Sequence, residues 1–379
     1  LSPADAAQAW LSRLPAADKA AAAAHTDWRL AAFAMTGAIL IVLSFVVLRS
    51  GLLARVRRIV EADGPKPLLA SAALAAVFGF IVLTAKALMD AGSRWRGDQI
   101  SGHPAPLADY LTAQLSGLVT AVGVLVMLAA ALYWLARRAP RAWPFIAGPL
   151  AAVALVAYGW LPYALHSDRG LPALPAGPLR AALVQLIADA KIPAHEVYVS
   201  ADPQMDCDVT GGFGHANVVV GPRLLNAPTP EVTAMVGHVM GHYAHGDILS
   251  IWVLFGLITF AGLLVANLAF RPLARWLGAG ALSGPADPEG LPVMAVIAVL
   301  WIGVGTLALN GFVRTVNVGA DEFSLTHARA PDGLAAVLGR LWDHESVDPP
   351  ALEAALFYTH PPMKDRLVHA MTWKAAHGG

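Results

Sequence analysis

The chain is poor in charge and almost without thiols. Of its 379 residues only 14% are Asp, Glu, Lys or Arg, while 57% are hydrophobic. An ordinary soluble domain carries about 25% charged residues. This composition, with a mean hydropathy of +0.57, excludes such a domain and indicates several membrane spans. The 26 basic and 26 acidic residues cancel, so nothing in the charge invites nucleic acid. Cys207 is the only cysteine, which excludes an internal disulfide and any thiolate-based zinc site. The apolar runs hold few charges (Lys86 is one) and show no internal repeat, which argues against a transporter. The stretch Gly211-Gly212-Phe213-Gly214 precedes neither a Lys-Ser/Thr pair nor a dinucleotide pattern, so it is no phosphate loop.

What is present reads as a mainly α, polytopic membrane protein of about six spans. Residues 1–30 are Ala-rich with Trp10, Leu11, Leu14 and Trp28, the pattern of an amphipathic segment near the interface. A four-span region covers 31–165, with runs near Ala31–Leu48, Leu68–Met89, Thr112–Ala136 and Pro144–Leu165. Each is long enough to cross the roughly 30 Å hydrocarbon core. Residues 166–248 change character: a Pro/Gly-rich linker to Pro178, a helix over Leu179–Ala190, short strands at Val197–Ser200 and Ala216–Gly221, and a Gly-rich edge segment between them. Two more spans fill 249–313, near Leu249–Phe270 and Pro292–Val313. A soluble, mostly helical tail runs from 314 to 379. Two spans separate 166–248 from the tail, so both lie on one side of the bilayer and can build one site.

The stretch Thr229–Asp247 carries the chemistry. Thr229 suits a helix cap, Pro230 the first helical position, and Glu231 the positive end of the dipole. His238 and His242, at i and i+4, place two imidazoles on one helical face within reach of one metal ion. In the metalloprotease pattern H-E-x-x-H the residue after the first His is the Glu that activates water; here it is Val239. Gly237 and Gly241 each cost the helix about 1 kcal/mol against Ala, so local stability does not explain them. His245 lies about 20° from His238 around the helix but roughly 10 Å along it, and reads as a polar residue at the helix end.

These segments resemble the integral-membrane CAAX prenyl protease family of zinc metallopeptidases, in its bacterial branch. The resemblance is carried by GPLRAALVQLIADAKIPAHEVYV, by PEVTAMVGHVMGHYAHGD, and by ADEFSL, PDGLAAVL, LFYTHPPMKDRL and MTWKA in the tail. It implies a split gluzincin-like metallopeptidase domain with a small β-sheet, and spans that enclose a chamber with the zinc site at its rim. By that resemblance His238 and His242 are the zinc-binding histidines and Asp321 is the Asp of the second motif. Asn317 occupies the position of the third ligand, a Glu in the family. His360 and Arg366 fall in the H-P-x-x-x-R pattern, the His steadying the transition state and the Arg shaping the site. Asp208, Val209, Thr210 and Gly211 match the edge segment expected to bind substrate by strand addition, with Asp208 where Asn is usual.

The resemblance thus implies a zinc metalloendopeptidase acting on peptides or proteins in the bilayer. The residues themselves imply impairment: Val239 cannot accept a proton, and Asn317 offers a neutral amide oxygen, so zinc is expected to bind weakly or not at all. The alternative is a non-catalytic pseudopeptidase that binds peptides or partner proteins. The basic loops 49–67 and 137–143 belong in the cytoplasm by the charge rule, which places the site on the periplasmic face of a bacterial inner membrane. Without the resemblance, Asp321 and Glu322 read as helix-surface charges, and His327, His344, His369 and His377 as solvent-facing. Trp28, Trp143 and Trp276 read as interface anchors.

Overall fold

The computed structural model describes residues 1–102, 105–166, 170–342 and 345–378; His344 and part of the 166–178 linker lie outside these. The chain divides into two compact units: residues 1–23, 154–255 and 307–379 form the first, and 24–153 with 256–306 the second.

Six helical stretches are long and apolar enough to cross a membrane: Ala16–Ser50, Pro67–Ile100, Leu107–Arg138, Trp143–Leu165, Asp247–Trp276 and Pro288–Ala328. The chain opens with α1 (Pro3–Leu11), begun by a Ser2–Asp5 capping box. Then come α2 (Ala16–Ser50), α3 (Leu52–Val60), α4 (Pro67–Ile100), α5 (Leu107–Ser116), α6 (Leu118–Arg138) and α7 (Trp143–Leu165). Residues 1–30 are not one interfacial segment. Ala7 and Leu11 of α1 are buried in the core of the first unit, and the chain from Ala16 is continuous with the first span. The third span extends beyond its expected limits and divides at Gly117 into α5 and α6. Trp143 is no exposed anchor either: it is buried, and its Nε1 donates to Asn267 Oδ1 at 2.9 Å. Trp276 is exposed.

The first unit continues with α8 (Pro178–Asp189), β1 (Val197–Val199), β2 (Cys207–Thr210), β3 (Asn217–Val220), α9 (Pro222–Leu225) and α10 (Thr229–His245). The β-branched run Val218–Val220 makes β3 the central strand, in the order β1-β3-β2. It pairs parallel with β1 and antiparallel with β2, Asp208 opposite Val219. After α11 (Asp247–Trp276) and α12 (Leu291–Ala328) come α13 (Pro331–Arg340), α14 (Ala351–Phe357) and α15 (Met363–Ala376). The core joins Leu183, Val218, Met240, Leu325, Leu334 and Leu367, all buried. Each such side chain contributes about 1.5–3 kcal/mol of burial. The N-cap of α10 is Pro228, not Thr229. Glu231 forms an ion pair with Arg340, at 2.6 Å.

Candidate active site

The glycines of α10 are explained by close packing. A Cβ at Gly241 would meet Ala320 Cα at 2.9 Å and Phe323 Cβ at 3.0 Å; one at Gly237 would meet Ser324 Oγ at 3.1 Å. Glycine lets α10 and α12 approach to this distance, and Ser324 Oγ donates to Ala234 O at 2.6 Å across the seam. That contact brings His238 on α10 to Asp321 on α12. His238 Nδ1 lies 2.8 Å from Asp321 Oδ1. Arg366 of α15 forks onto the same carboxylate, Nε to Oδ2 and Nη2 to Oδ1, both at 2.7 Å. All three are buried, so Asp321 is no helix-surface charge; its neighbour Glu322 is exposed and pairs with His369 at 2.9 Å.

His242 has its own carboxylate. Gly246, at φ 67°, turns the chain through the left-handed region that glycine favours. The turn brings Asp247 Oδ2 to 2.9 Å from His242 Nδ1. Asp247 was legible only as a neighbour of the helix end; the signal was a Gly at the C-cap followed by an acid five residues after the His. With both Nδ1 atoms facing carboxylates, both Nε2 atoms are left for a metal or a ligand, the arrangement of metal-binding histidines. The two rings stand 4.8 Å apart at 88°. His360 stacks 6.0 Å from His238. Desolvation by the surrounding protein, reinforced by the charge of Arg366, lowers His360 below the usual imidazole range even though the residue is exposed. Burial also lowers His238, against the pull of Asp321. These two imidazoles are therefore neutral at pH 7.

Asn317 lies one turn before Asp321 on the same face of α12. Its Nδ2 donates to Val313 O at 2.9 Å and to Thr359 O at 3.1 Å, the carbonyl just before His360. Its Oδ1 is buried and has no partner. Asn310 and Arg314 continue the row: Asn310 Nδ2 donates to Leu356 O at 2.6 Å, and Arg314 Nη1 to Tyr358 O at 2.8 Å. Three amide or guanidinium groups on one helical face thus hold the segment that presents His360; neither Asn310 nor Arg314 was singled out by sequence. Among the described residues no group of three or more His, Cys, Asp or Glu is placed to hold a metal. Val239, where the motif has Glu, is half-buried and packs against the core.

The edge segment is an edge strand with a cover. Gly221 N–H donates to Asp206 O at 2.7 Å. By the antiparallel alternation, Asp208 and Thr210 turn their main-chain groups toward β3, and Val209 and Gly211 turn theirs outward. Tyr163, near the end of α7, meets both: its hydroxyl donates to Val209 O at 2.5 Å, and its carbonyl accepts from Gly211 N–H at 3.0 Å. Asp208 Oδ1 accepts from Val209 N–H at 2.8 Å. The remaining histidines have ordinary partners. His245 is exposed and edge-on to Phe323, while His327 and His377 stack on Phe323 and Trp373 at 4.1 Å. Of these two only His377 is exposed; His327 is half-buried, as is His369.

A glycine-packed helix pair thus presents H-x-x-x-H, with carboxylates behind both imidazoles and an Arg-clamped Asp. Residues 173–374 match Peptidase family M48, and the chain belongs to that family. It is 28% identical over 221 residues to "Protease HtpX homolog" of Desulfatibacillum aliphaticivorans, covering 52% of this chain and 68% of that protein. It is 23% identical over 354 residues to "Uncharacterized metalloprotease YhfN" of Bacillus subtilis (strain 168), covering 86% and 79%. The crystal structure of S. mikatae Ste24p superposes with a TM-score of 0.53 at 15% identity, covering 91% of this chain and 99% of that one. The fold is shared along nearly the whole chain.

Proposed function

We propose that this chain is a membrane-embedded M48 scaffold that binds peptide or protein segments beside the His238–His242–His360 cluster and does not hydrolyse them. The observation that carries this reading is Val239, an aliphatic side chain packed into the core next to His238. General-base catalysis is worth about 10²–10⁴-fold, and Val239 supplies none of it. Both Asp321 and Asp247 are engaged by the imidazoles they orient. A zinc ion, which supplies Lewis-acid polarisation of a carbonyl in this class, would be held by His238 and His242 with Asn317 Oδ1. An amide in place of a carboxylate makes that hold weaker than in a two-His, one-Glu site. His360, neutral at pH 7, is suited to donate a hydrogen bond to a bound carbonyl oxygen. The family's activity, zinc-dependent endopeptidase cleavage in the membrane, is the reading that Val239→Glu with Asn317→Glu should restore. The basic loops favour a periplasmic site on a bacterial inner membrane.

The test is turnover of a quenched-fluorescence peptide and an unfolded protein by the purified full chain. No cleavage is expected from the unmodified chain, and measurable cleavage from the double Glu variant. Cleavage by the unmodified chain that a zinc chelator stops would overturn the proposal.

A further inference from the structure

The second unit has a strongly basic end. The loops around 49–66, 137–141 and 271–289 carry ten Lys and Arg against four carboxylates, although the chain as a whole is neutral. Contacts join the first and third of these loops: Arg57 reaches Asp287 at 3.5 Å and Glu289 at 3.1 Å, and Arg49 Nη1 donates to Gly278 O at 3.3 Å. Around the turn at Gly51, where α2 gives way to α3, lie two adjoining grooves of 630 and 410 Å3 that share Gly51, Ala54 and Glu289. The larger is lined by Arg55, Arg57 and Arg58; the smaller includes Val47, Leu48, Leu53 and Leu282. The larger groove is thus cationic, and the smaller adds the part-buried Leu48 and Leu282 among polar groups that include Arg49 and Asp287.

The cations are not equally available. Arg57 is committed to Glu61, Asp287 and Glu289, which also accounts for the two glutamates in the lining. Arg55 is exposed and gives one Nη2 bond to Ser50 O at 3.2 Å. Arg58 is exposed and has no ion-pair partner among the described residues. Beside Arg58, Ile59 is 76% exposed, and Leu68 and Leu69, at the start of α4, are 50% and 56% exposed. A short helix with arginines on one face and bare aliphatics beside them is the pattern of an interfacial helix on an anionic membrane.

We propose that this groove is a binding site for an anionic phospholipid, its phosphodiester head held by Arg55 and Arg58 and an acyl chain laid along Leu48 and Leu282. A guanidinium fork recognises phosphate oxygens in pairs, and the split lining matches an amphiphile rather than a free anion. The site is independent of the peptidase reading, since it uses none of the residues around His238.

The experiment is native mass spectrometry of the full chain, released from detergent after titration with phosphatidylglycerol or phosphatidylcholine of identical acyl chains. Phosphatidylglycerol should be retained preferentially. Arg55→Ala with Arg58→Ala should lower its retention roughly thirtyfold, given about 1 kcal/mol per basic residue near an anionic surface and tenfold per 1.4 kcal/mol, and leave phosphatidylcholine unchanged. The single Arg58→Glu, at an exposed position, should act in the same direction. Arg138→Ala with Arg141→Ala removes the same charge from the same rim outside the groove, and should leave retention as it was. Equal retention of the two lipids would overturn the proposal, as would equal loss in the Arg138/Arg141 variant. So would displacement of the lipid by glycerol phosphate at matched concentration, which would mark an anion site without a place for the chain.

Discussion

Asn317→Glu should destabilise the metal-free protein and make its stability depend on zinc. Asn317 is 3% exposed, and its Nδ2 is the group that satisfies Thr359 O. A carboxylate cannot donate, so the Glu variant leaves that carbonyl unpaired, a loss of about 1–3 kcal/mol. It also places an acidic oxygen against a carbonyl oxygen in a buried setting, which costs several kcal/mol more unless the Glu takes up a proton. A destabilisation of about 3 kcal/mol or more follows, equivalent to a fall of roughly 6–12 °C in Tm for a unit of this size. Zinc reverses the sign of the new charge's contribution, because His238, His242 and a Glu form a complete ligand set. At a hundredfold excess over Kd the metal should return about 2.7 kcal/mol. The assay is thermal unfolding of the detergent-solubilised chain with a chelator and with excess zinc. The parent should respond little to zinc, and the Glu variant should respond strongly. A variant that melts like the parent in chelator would show that the amide bond to Thr359 does not hold the His360 segment, and would refute the reasoning.

Four further outcomes follow from the geometry. Arg366→Met strands the buried Asp321 charge and should cost about 3–5 kcal/mol in unfolding free energy; adding Asp321→Leu should recover most of it, and failure to recover would count against the clamp. Gly241→Ala gains about 1 kcal/mol of helix propensity but forces Ala320 of α12 away from 2.9 Å, so a net loss of about 1–2 kcal/mol is expected, more than for Gly237→Ala; equal melting of the two would contradict the packing account. Tyr163→Phe removes the hydroxyl that covers Val209 O and should tighten binding of an extended peptide severalfold in fluorescence anisotropy, whereas weaker binding would mean that the hydroxyl organises the edge instead of covering it. In a Cys207→Ala background, Ala376→Cys should react with a membrane-impermeant thiol reagent on intact spheroplasts; labelling only after lysis would place the site in the cytoplasm.

The spans and the small sheet were readable because each rests on a local signal. Apolar runs of twenty residues have one stable solution in a bilayer, and Val218–Val220 between glycines can hardly be anything but an inner strand. Asp321 was singled out through a family pattern and not from spacing, and its bond to His238, 83 residues away, was seen only in the structure. What stayed hidden depended on contacts that no local pattern encodes. Trp143 sits at a span end like any anchor, and only the Asn267 amide opposite it makes burial favourable. Residues 1–11 are amphipathic in the ordinary way, and sequence does not say whether the apolar face meets lipid or the α13–α15 surface. Tyr163 closes a span and gives no sign that its hydroxyl and carbonyl would meet an edge strand 46 residues later.

The residues around the site differ in what keeps them there. Asp321 receives two bonds from Arg366 and one from His238 inside a core that excludes water, so each member of this trio has a structural task that needs neither metal nor substrate. Their presence is therefore no argument for turnover. His242 and His360 stand differently. His242 is part-exposed and bonded only to Asp247 among the described residues, and His360 is exposed, its imidazole kept neutral by the protein around it and the charge of Arg366. Replacing His360, which is exposed, should cost the fold little, within about 0.5 kcal/mol, whereas His242→Ala strands the buried Asp247 carboxylate and should cost about 1–3 kcal/mol. Their value lies in lone pairs and N–H groups that face a common space with His238. His360→Ala should accordingly leave the melting profile nearly unchanged while weakening metal or peptide binding, and His242→Ala and His238→Ala should lower both. A large loss of stability in all three would make the cluster a structural element, and the site a relic in shape only.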